Sequence, residues 1–229
     1  MKRRTAVLAV SAASGLAVSL MALPAVAEST VSPTALAGTV VRRADLLPWF
    51  PKTKTVRAPA PGTGDERARS QEICFKTVDK VRSLKLPKRQ AWSEMSTNRE
   101  ETRGMFSLIA QYKTKAKAKE RMQAVRAKLA GCPGAVASAD LTITQSAVGL
   151  GSVYGGQGIG IYTTIDNVVG GGDSIEYLVI RRMGRALAFT EFSRVKAWPA
   201  GPPAEVPGKA HTSTEYLSVV VASRYDAVK

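Results

Sequence analysis

The sequence predicts an α+β sandwich, in which a mainly antiparallel sheet has helices packed on one face. Segments with alternating polar and apolar side chains, joined by glycine-containing turns, are typical of antiparallel strands. Helical patterns interrupt this series at intervals, and a capping motif lies near the end of the chain. The predicted strands are 91–98, 105–112, 141–147, 159–165, 175–181 and 185–193.

Two helical segments are expected before the first of these strands. Residues 42–50 form either one helical turn or an irregular apolar anchor. Residues 66–82 repeat apolar side chains at helical intervals, with Ile73, Cys74 and Val78 on the same side. We therefore expect Cys74 to lie on the inner face of a helix.

A basic helix is predicted after Thr114, whose hydroxyl is a suitable N-cap. Its apolar side chains step by four and three residues, and the glycines and proline within 131–134 end it. The cations on its other faces form either a solvated surface or an anion-docking patch. The apolar stripe is Ala118, Met122, Val125, Leu129 and Cys132, and the basic patch is Lys113, Lys115, Lys117, Lys119, Arg121, Arg126 and Lys128.

A last helix is predicted from its start signal. Thr212 and Glu215 have the spacing of a capping box, in which each side chain binds the backbone of the other residue. This motif favours a helix over the strand that the valines at 219–221 would suggest alone.

The first 27 residues have the layout of a secretory signal peptide. A basic start at residues 2–4 precedes an apolar run that ends in Ala25-Val26-Ala27. Small residues and Pro24 argue against an uncleaved membrane anchor, so we expect cleavage near Ala27 and a secreted protein without a membrane span. The general secretory and twin-arginine routes both remain open. Residues 28–40 are expected to be a flexible leader, and 41–229 a single domain.

Positive charge dominates the chain. Its formal charge is +15, and residues 1–27 hold three basic and no acidic residues, so their removal leaves +12. Such a charge attracts polyanions over long distances, although it also serves solubility alone. The partner classes that it favours are an anionic wall polymer, an acidic secreted protein or another extracellular ligand.

Export affects the interpretation of the two cysteines, Cys74 and Cys132. An even count in an oxidising compartment favours one disulfide, and closing that loop stabilises a fold by about 4 kcal/mol. A reactive thiol needs a basic partner and reducing surroundings. A structural zinc site is one ligand short, because His211 is the single histidine. We expect a disulfide, and neither a metal nor another cofactor.

In its order of elements, and in a helix that ends at Gly131-Cys132-Pro133, the chain resembles extracellular sensor domains of the PknH type. These domains occur on an actinobacterial Ser/Thr kinase and in secreted or lipid-anchored actinobacterial proteins. The resemblance covers about residues 41–228, and it implies an α/β sandwich with a broad ligand-binding cleft and no catalysis. It also implies a disulfide between Cys74 and Cys132. A second disulfide of the kinase member has no counterpart in this sequence.

We expect a secreted, non-enzymatic module that binds a ligand or polyanion in the cell envelope or extracellular space. The glycine-rich segment 149–160 fits no phosphate-binding fingerprint and is expected to be a mobile loop or lid. The alternative is an interaction or adaptor subunit of a secreted assembly, with the leader and the basic helix docked on an acidic partner. The candidate ligand-binding residues are Tyr154, Tyr162, Tyr177, Phe189 and Glu191.

A secreted hydrolase is less well supported. His211 lies on the Pro/Gly-rich approach to the last helix and is expected to be exposed, and the chain has no Gly-x-Ser-x-Gly elbow. Carboxylates suited to glycoside cleavage are present, but the sequence pairs none of them. They are Asp166, Asp173, Glu176 and Glu191.

Alkylation without reductant tests the disulfide. Because a disulfide leaves no thiolate to react, neither Cys74 nor Cys132 is expected to take up iodoacetamide, in the folded protein or in urea, until a reductant is added. Mass spectrometry of the peptides measures the labelling. A cysteine labelled before reduction contradicts the prediction.

Overall fold

Cys132, Tyr154 and the predicted signal peptide lie outside the described residues, as does the side chain of Cys74, so the disulfide stays a prediction. The structure is a computed structural model, and it describes residues 30–62, 72–75, 81–83, 86–98, 102–131, 134–137, 141–153, 156–167, 172–198 and 202–229.

An eight-stranded antiparallel sheet forms the body of the described chain. The strands are β1 (Lys54–Pro61), β2 (Glu72–Phe75), β3 (Val81–Ser83), β4 (Gln90–Ser96), β5 (Arg103–Gln111), β6 (Ala135–Ala137), β7 (Leu141–Val153), β8 (Gly156–Asn167), β9 (Asp173–Met183) and β10 (Ala186–Lys196). Their order in the sheet is β1-β4-β5-β10-β9-β8-β7-β6, and β2 pairs with β3 in a separate ribbon. Neighbouring strands are antiparallel throughout. This arrangement confirms the predicted α+β class.

Helices cover the sheet. They are α1 (Pro33–Ala37), α2 (Arg43–Leu46), α3 (Lys115–Ala130) and α4 (Gly208–Val228). As predicted, helices share one face: α1, α2 and α4 enclose a core there with Met105, Ile109 and Tyr177 of the sheet. In addition, α3 closes a smaller core on the opposite face. None of the described helices is both long and apolar enough to cross a bilayer.

The central strands are buried on both faces. In β5, every residue from Met105 to Gln111 is buried, and its alternate side chains enter the two cores in turn. Cross-strand register continues each core, since Leu108 lies opposite Phe189 and Ile109 lies opposite Ala188.

The prediction of a flexible leader is wrong for residues 30–40. Leu36 and Val40 are fully buried in the larger core. Ser32 caps α1 by accepting a hydrogen bond from the Ala35 N–H at 3.1 Å. The few apolar residues of this segment show no clear period in the sequence, and their burial depends on distant sheet and helix partners.

The helix predicted at 66–82 is also wrong where the structure describes it. Residues 72–75 and 81–83 form the antiparallel ribbon of β2 and β3. Their β-branched and aromatic residues suit a strand, and pairing between the two segments outweighs the helical spacing. The segment 42–50, in contrast, contains the predicted helical turn in α2.

The central and final helices are confirmed. Thr114 caps α3 as predicted, by accepting a hydrogen bond from the Lys117 N–H at 3.1 Å, and Met122, Val125 and Leu129 of the apolar stripe pack on the smaller core. The capping box of the last helix is wrong, because α4 begins at Gly208 and Thr212 lies inside it. The segment before Thr212 continues the helix toward Pro207, which occupies the N-cap position.

The glycine-rich segment 149–160 is not a loop in its described parts, which continue strands β7 and β8. Its glycines make room for long side chains of β9. A Cβ on Gly160 would lie 2.5 Å from the Tyr177 hydroxyl, and one on Gly158 would lie 2.9 Å from the Arg181 guanidinium. These two glycines therefore allow large side chains to cross the sheet face toward α4.

Tyr177 and Arg181 fasten α4 to the sheet. The Tyr177 hydroxyl donates a hydrogen bond to Glu215 at 2.8 Å, and Arg181 Nε donates one to Ser218 at 2.8 Å. Arg181 is only 4% exposed, and burial lowers its pKa, while the charge of Glu215 acts in the opposite direction. The buried cation is therefore compensated by partners on α4.

A partly buried ion pair joins α2 to α4. Arg224 contacts both Asp45 oxygens, at 2.7 and 2.8 Å, and Asp45 also accepts the backbone N–H of Arg42. Burial acts to raise the pKa of Asp45, but hydrogen bonds from Arg224 and Arg42, and their charges, outweigh it and lower the pKa. The ionised carboxylate thus stabilises the fold.

Substituting Gly160 tests the close approach of Tyr177. Gly160→Ala is expected to lower the free energy of unfolding by about 1–3 kcal/mol, because the new methyl group displaces the phenol from Glu215. Urea unfolding measures the change. Gly149→Ala in the adjacent strand is the control: its Cβ meets no atom within 4 Å, and it is expected to be neutral or stabilising by up to about 1 kcal/mol.

A second substitution identifies the cause of this effect. In a Tyr177→Phe background, Gly160→Ala is expected to be less destabilising, since the hydroxyl that the methyl group meets first is gone. Equal effects in both backgrounds would show that the clash is not with this hydroxyl.

Asp45→Asn tests the ion pair and gives it a pH dependence. We expect a loss of about 2 kcal/mol in unfolding free energy at pH 7, because charged hydrogen bonds to Arg224 are removed. Since the folded pKa is lowered, this contribution is present above the ordinary value of 3.8 and is lost as the pH falls through the folded pKa.

Urea unfolding of both proteins at pH 7, pH 3 and pH 2 measures this difference. Asp226→Asn is the control, because its carboxylate pairs with Lys229 at an exposed site and adds little to stability. A difference between wild type and Asp45→Asn that stays constant down to pH 2 would contradict the assignment.

Candidate anion-binding site

A cavity of about 830 Å³ lies at one end of the sheet, and we call it the basic cavity. Its wall is formed by the segment before β4, the end of β5, the first turns of α3 and the turn between β9 and β10. Leu86, Pro87 and Tyr112 provide apolar surface. Its cations are Lys88, Arg89, Lys113, Lys117, Arg121 and Arg185.

Sheet register brings the three strand-end segments together. The start of β4 pairs with the end of β5, and the end of β5 pairs with the start of β10. The Gln111 N–H donates to the Arg89 carbonyl at 2.9 Å, and the Tyr112 N–H donates to the Arg185 carbonyl at 2.8 Å. Arg89 and Arg185 are consequently fixed on either side of Tyr112.

Helical spacing supplies the other side of the wall. Lys113 precedes α3, and Lys117 and Arg121 follow at intervals of four residues, so they lie along the same side of its first turns. Ala118 and Met122 face the core beneath. The apolar stripe therefore determines which of the cations reach the cavity.

The wall has a large excess of positive charge. Six cations share it with one carboxylate, that of Glu120, which already pairs with Lys117 at 2.8 Å. A hydrogen bond from Lys117, with the lysine charge, lowers the pKa of Glu120. Within the described part of the chain, Lys88, Arg89, Lys113 and Arg121 form no ion pair. An anion inside the cavity would meet several cations at once.

Arg185 is held in place at the rim. Its guanidinium donates to the Lys113 carbonyl at 3.2 Å and to the Thr30 hydroxyl at 3.2 Å. It thereby joins the β9–β10 turn both to the segment before α3 and to the start of the described chain. Gly184, the residue before it, has a φ of 53°, a left-handed conformation that suits glycine in this turn.

Tyr112 contributes its ring to the wall, while its hydroxyl is buried beneath. Burial raises the pKa of this hydroxyl to about 12, and the nearby Arg121 acts in the opposite direction. The phenol therefore keeps its proton at neutral pH and does not repel an anion. The Arg121 contact is poorly aligned, and within the described part of the chain the phenol oxygen has no other hydrogen-bond partner.

The structure does not bring the predicted aromatic ligand-binding residues together. Tyr162 and Tyr177 are buried in the larger core, where the Tyr162 hydroxyl binds the Pro203 carbonyl at 2.7 Å. Phe189 is buried in the smaller core, on the opposite face of the sheet, and Glu191 lies half-buried two residues further along the same strand. Alternation identified these residues as inward-facing, and Tyr162, Tyr177 and Phe189 are packed in the two hydrophobic cores and not around a common cleft.

His211 keeps 45% of its side chain exposed, but it is not on the approach to the last helix, as the sequence had suggested. It lies within α4, where its ring stacks on Tyr177 with centroids 5.3 Å apart and its Nε2 lies 3.0 Å from Glu215. Tyr177 donates to the same carboxylate oxygen. His211 lines neither the basic cavity nor the other cavities described below, so its contacts support packing of α4.

The basic patch predicted from the sequence divides in two. Lys113, Lys117 and Arg121 line the cavity, whereas Lys115, Lys119, Arg126 and Lys128 do not. Sequence reasoning missed Lys88 and Arg89, which precede one predicted strand, and Arg185, which begins another. Their signal is a cation at the start of each of these two strands, and it becomes informative only once the strand order is known.

Comparisons with known proteins show a similar fold. The extracellular domain of PknH from Mycobacterium tuberculosis superposes with a TM-score of 0.52 at 12% identity, covering 86% of this chain and 98% of that one. A Mycobacterium smegmatis protein described as the Rv0999 ortholog has a TM-score of 0.48 at 10% identity, covering 86% and 97%. No protein-family profile and no characterised protein sequence matches the chain. At this identity, the likeness to the PknH domain concerns the fold alone.

Proposed function

We propose that this protein is a secreted, non-enzymatic binding module whose basic cavity holds an anionic ligand of the cell envelope or extracellular space. The observation that carries this proposal is the convergence of six cations, from three separate chain segments, around one cavity with a single carboxylate. Keeping like charges together is unfavourable in the empty site, and a bound anion removes that repulsion.

The shape of the wall favours a ligand with several negative charges. Lys88 and Arg89 lie on one side of Tyr112, Arg185 on another, and the α3 cations on a third, so the charge is spread around the cavity. A ligand with a single carboxylate would contact only some of these cations. A chain of phosphate groups, as in an anionic wall polymer, places charges opposite several of these cations at once.

The adaptor alternative rests on a flexible leader and a basic helix, and the leader no longer supports it. Residues 30–40, expected to fold on binding a partner, are already packed in the core. The other part, the basic helix, contributes its cavity-lining cations to a concave site and not to a continuous flat surface. Concave sites suit a narrow polymer or small ligand better than a folded acidic protein.

The fold comparison supports an extracellular setting. The PknH domain with the same fold is extracellular, and the predicted signal peptide directs this chain to the same side of the membrane. Neither observation identifies the ligand, which we infer from the charge of the cavity alone.

Calorimetric titration with poly(glycerol phosphate) tests the function, with uncharged dextran as the control polymer. We expect binding that weakens steadily between 50 and 300 mM NaCl, because bound cations are released from the polymer and charges are screened. Binding of dextran, or a flat salt dependence, would contradict an anion site. Polyglutamate is the third probe, and if it alone binds, the adaptor function is favoured.

Paired variants locate the binding. Lys88→Gln/Arg121→Gln removes two cavity cations and is expected to weaken poly(glycerol phosphate) about tenfold or more. Lys119→Gln/Arg126→Gln removes the same two charges from exposed positions of α3 outside the cavity, and less than about a twofold change is expected. Equal losses in both variants would show that diffuse surface charge binds the polymer.

A further inference from the structure

Two further cavities lie at the end of the sheet opposite the basic cavity. They measure about 330 and 150 Å³ and share Phe50, Arg103 and Lys209 in their walls. We call the pair the aromatic cleft. Its walls come from the segment after α2, from the facing ends of β4, β5, β9 and β10, and from the start of α4.

Aromatic rings form the floor and one side of this cleft. Phe50 is buried and stacks on Phe192, with centroids 5.9 Å apart and planes inclined by 20°. Trp49, beside it, is only half-buried and leans on Tyr216 at 6.0 Å. Flat apolar surface is therefore available next to the buried Phe50–Phe192 stack.

Two cations lie near the Phe50 ring. The Lys209 ammonium is 5.0 Å from the ring centre, and the Arg103 guanidinium is 5.9 Å from it. Lys52 contributes a further exposed charge to the larger cavity. Among the residues that the structure describes, no carboxylate lines either cavity.

We propose that the aromatic cleft is a second binding site, for a small planar anion: a ring system with one carboxylate or similar group. Ring surface and cations line the same cleft, so the ring system of such a ligand packs against aromatic side chains while its negative group contacts a cation. The Lys209 ammonium lies near the Phe50 ring, and Lys209 is exposed. Its side chain can therefore rotate to bind the carboxylate of the ligand, while the ring system of the ligand packs where the ammonium was.

This site is separate from the basic cavity. Arg103 and Gln111, at the two ends of β5, belong to the aromatic cleft and the basic cavity, respectively. Eight residue steps of an extended strand put about 27 Å between them. The proposal therefore does not depend on the function assigned to the basic cavity.

Titration followed by protein-detected NMR tests the proposal, with 2-naphthoate as the probe. We expect dissociation constants on the order of 0.1–1 mM, with shifts concentrated at Trp49, Phe50 and Lys209. Two matched ligands separate the requirements: 2-naphthalenemethanol keeps the rings without the charge, and cyclohexanecarboxylate keeps the charge without the flat rings. Both are expected to bind at least about fivefold more weakly.

Charge variants that leave the core intact provide the second measurement. Lys209→Met is expected to weaken 2-naphthoate about fivefold while leaving 2-naphthalenemethanol unchanged. Lys54→Met, an exposed lysine outside the cleft, is the control and is expected to change neither ligand. Trp49→Leu is expected to weaken both aromatic ligands.

Three outcomes would overturn the proposal. Equal affinity for 2-naphthoate and 2-naphthalenemethanol would show that the cleft binds the rings without recognising the anion. Equal losses in Lys209→Met and Lys54→Met would indicate general surface attraction. Shifts at Tyr112 and Arg185, or displacement of 2-naphthoate by poly(glycerol phosphate), would place the probe in the basic cavity. Failure of the polymer to bind there leaves this test unaffected.

Discussion

Burial of β5, β9 and β10 on both faces is the constraint on which the rest of the structure depends. A sheet whose central strands are apolar on both sides needs a cover on each side, and α4 with α1 provides one while α3 provides the other. The lengths and positions of these helices follow from the area to be covered. The packing of the N-terminal segment 30–40 follows as well, because Leu36 and Val40 fill space between α4 and the sheet.

The same constraint determines where charge is allowed. A strongly basic chain has few places in such a sheet for its cations, since each would lie in one of two hydrophobic cores. Of the cations that the structure describes, Arg181 alone is buried, and a hydroxyl, a backbone carbonyl and the nearby Glu215 carboxylate compensate its charge. Most other cations go to the strand ends or to exposed helix faces. Two concave, basic regions at opposite ends of one sheet are the result.

Local patterns predicted the elements whose formation depends on near neighbours. The alternation in β5, β9 and β10 and the stripe and cap of α3 are of this kind, because side-chain period and capping act within a few residues. Patterns failed where a distant partner decides the outcome. Gly158 belongs to the segment expected to be a loop, yet it pairs with β9 as part of β8, where its missing side chain leaves room for the Arg181 guanidinium. The sequence likewise did not predict the basic cavity, because Arg89, Lys113 and Arg185 become neighbours only through the strand order.

The direction of α4 determines which cavity stays accessible when the protein is joined to a surface or to a fusion partner. Thr30, where the described chain begins, lies in the wall of the basic cavity. Tyr225, near the far end of α4, hydrogen-bonds to Gln111 at the same end of the sheet, and Lys229 follows it by four residues. A tether joined at Thr30 or at Lys229, whether a fusion partner or a sensor surface, therefore lies at the same end of the sheet as the basic cavity and shades it. The aromatic cleft faces away from such a tether, so the two regions differ in accessibility on an immobilised molecule even though both are open in solution.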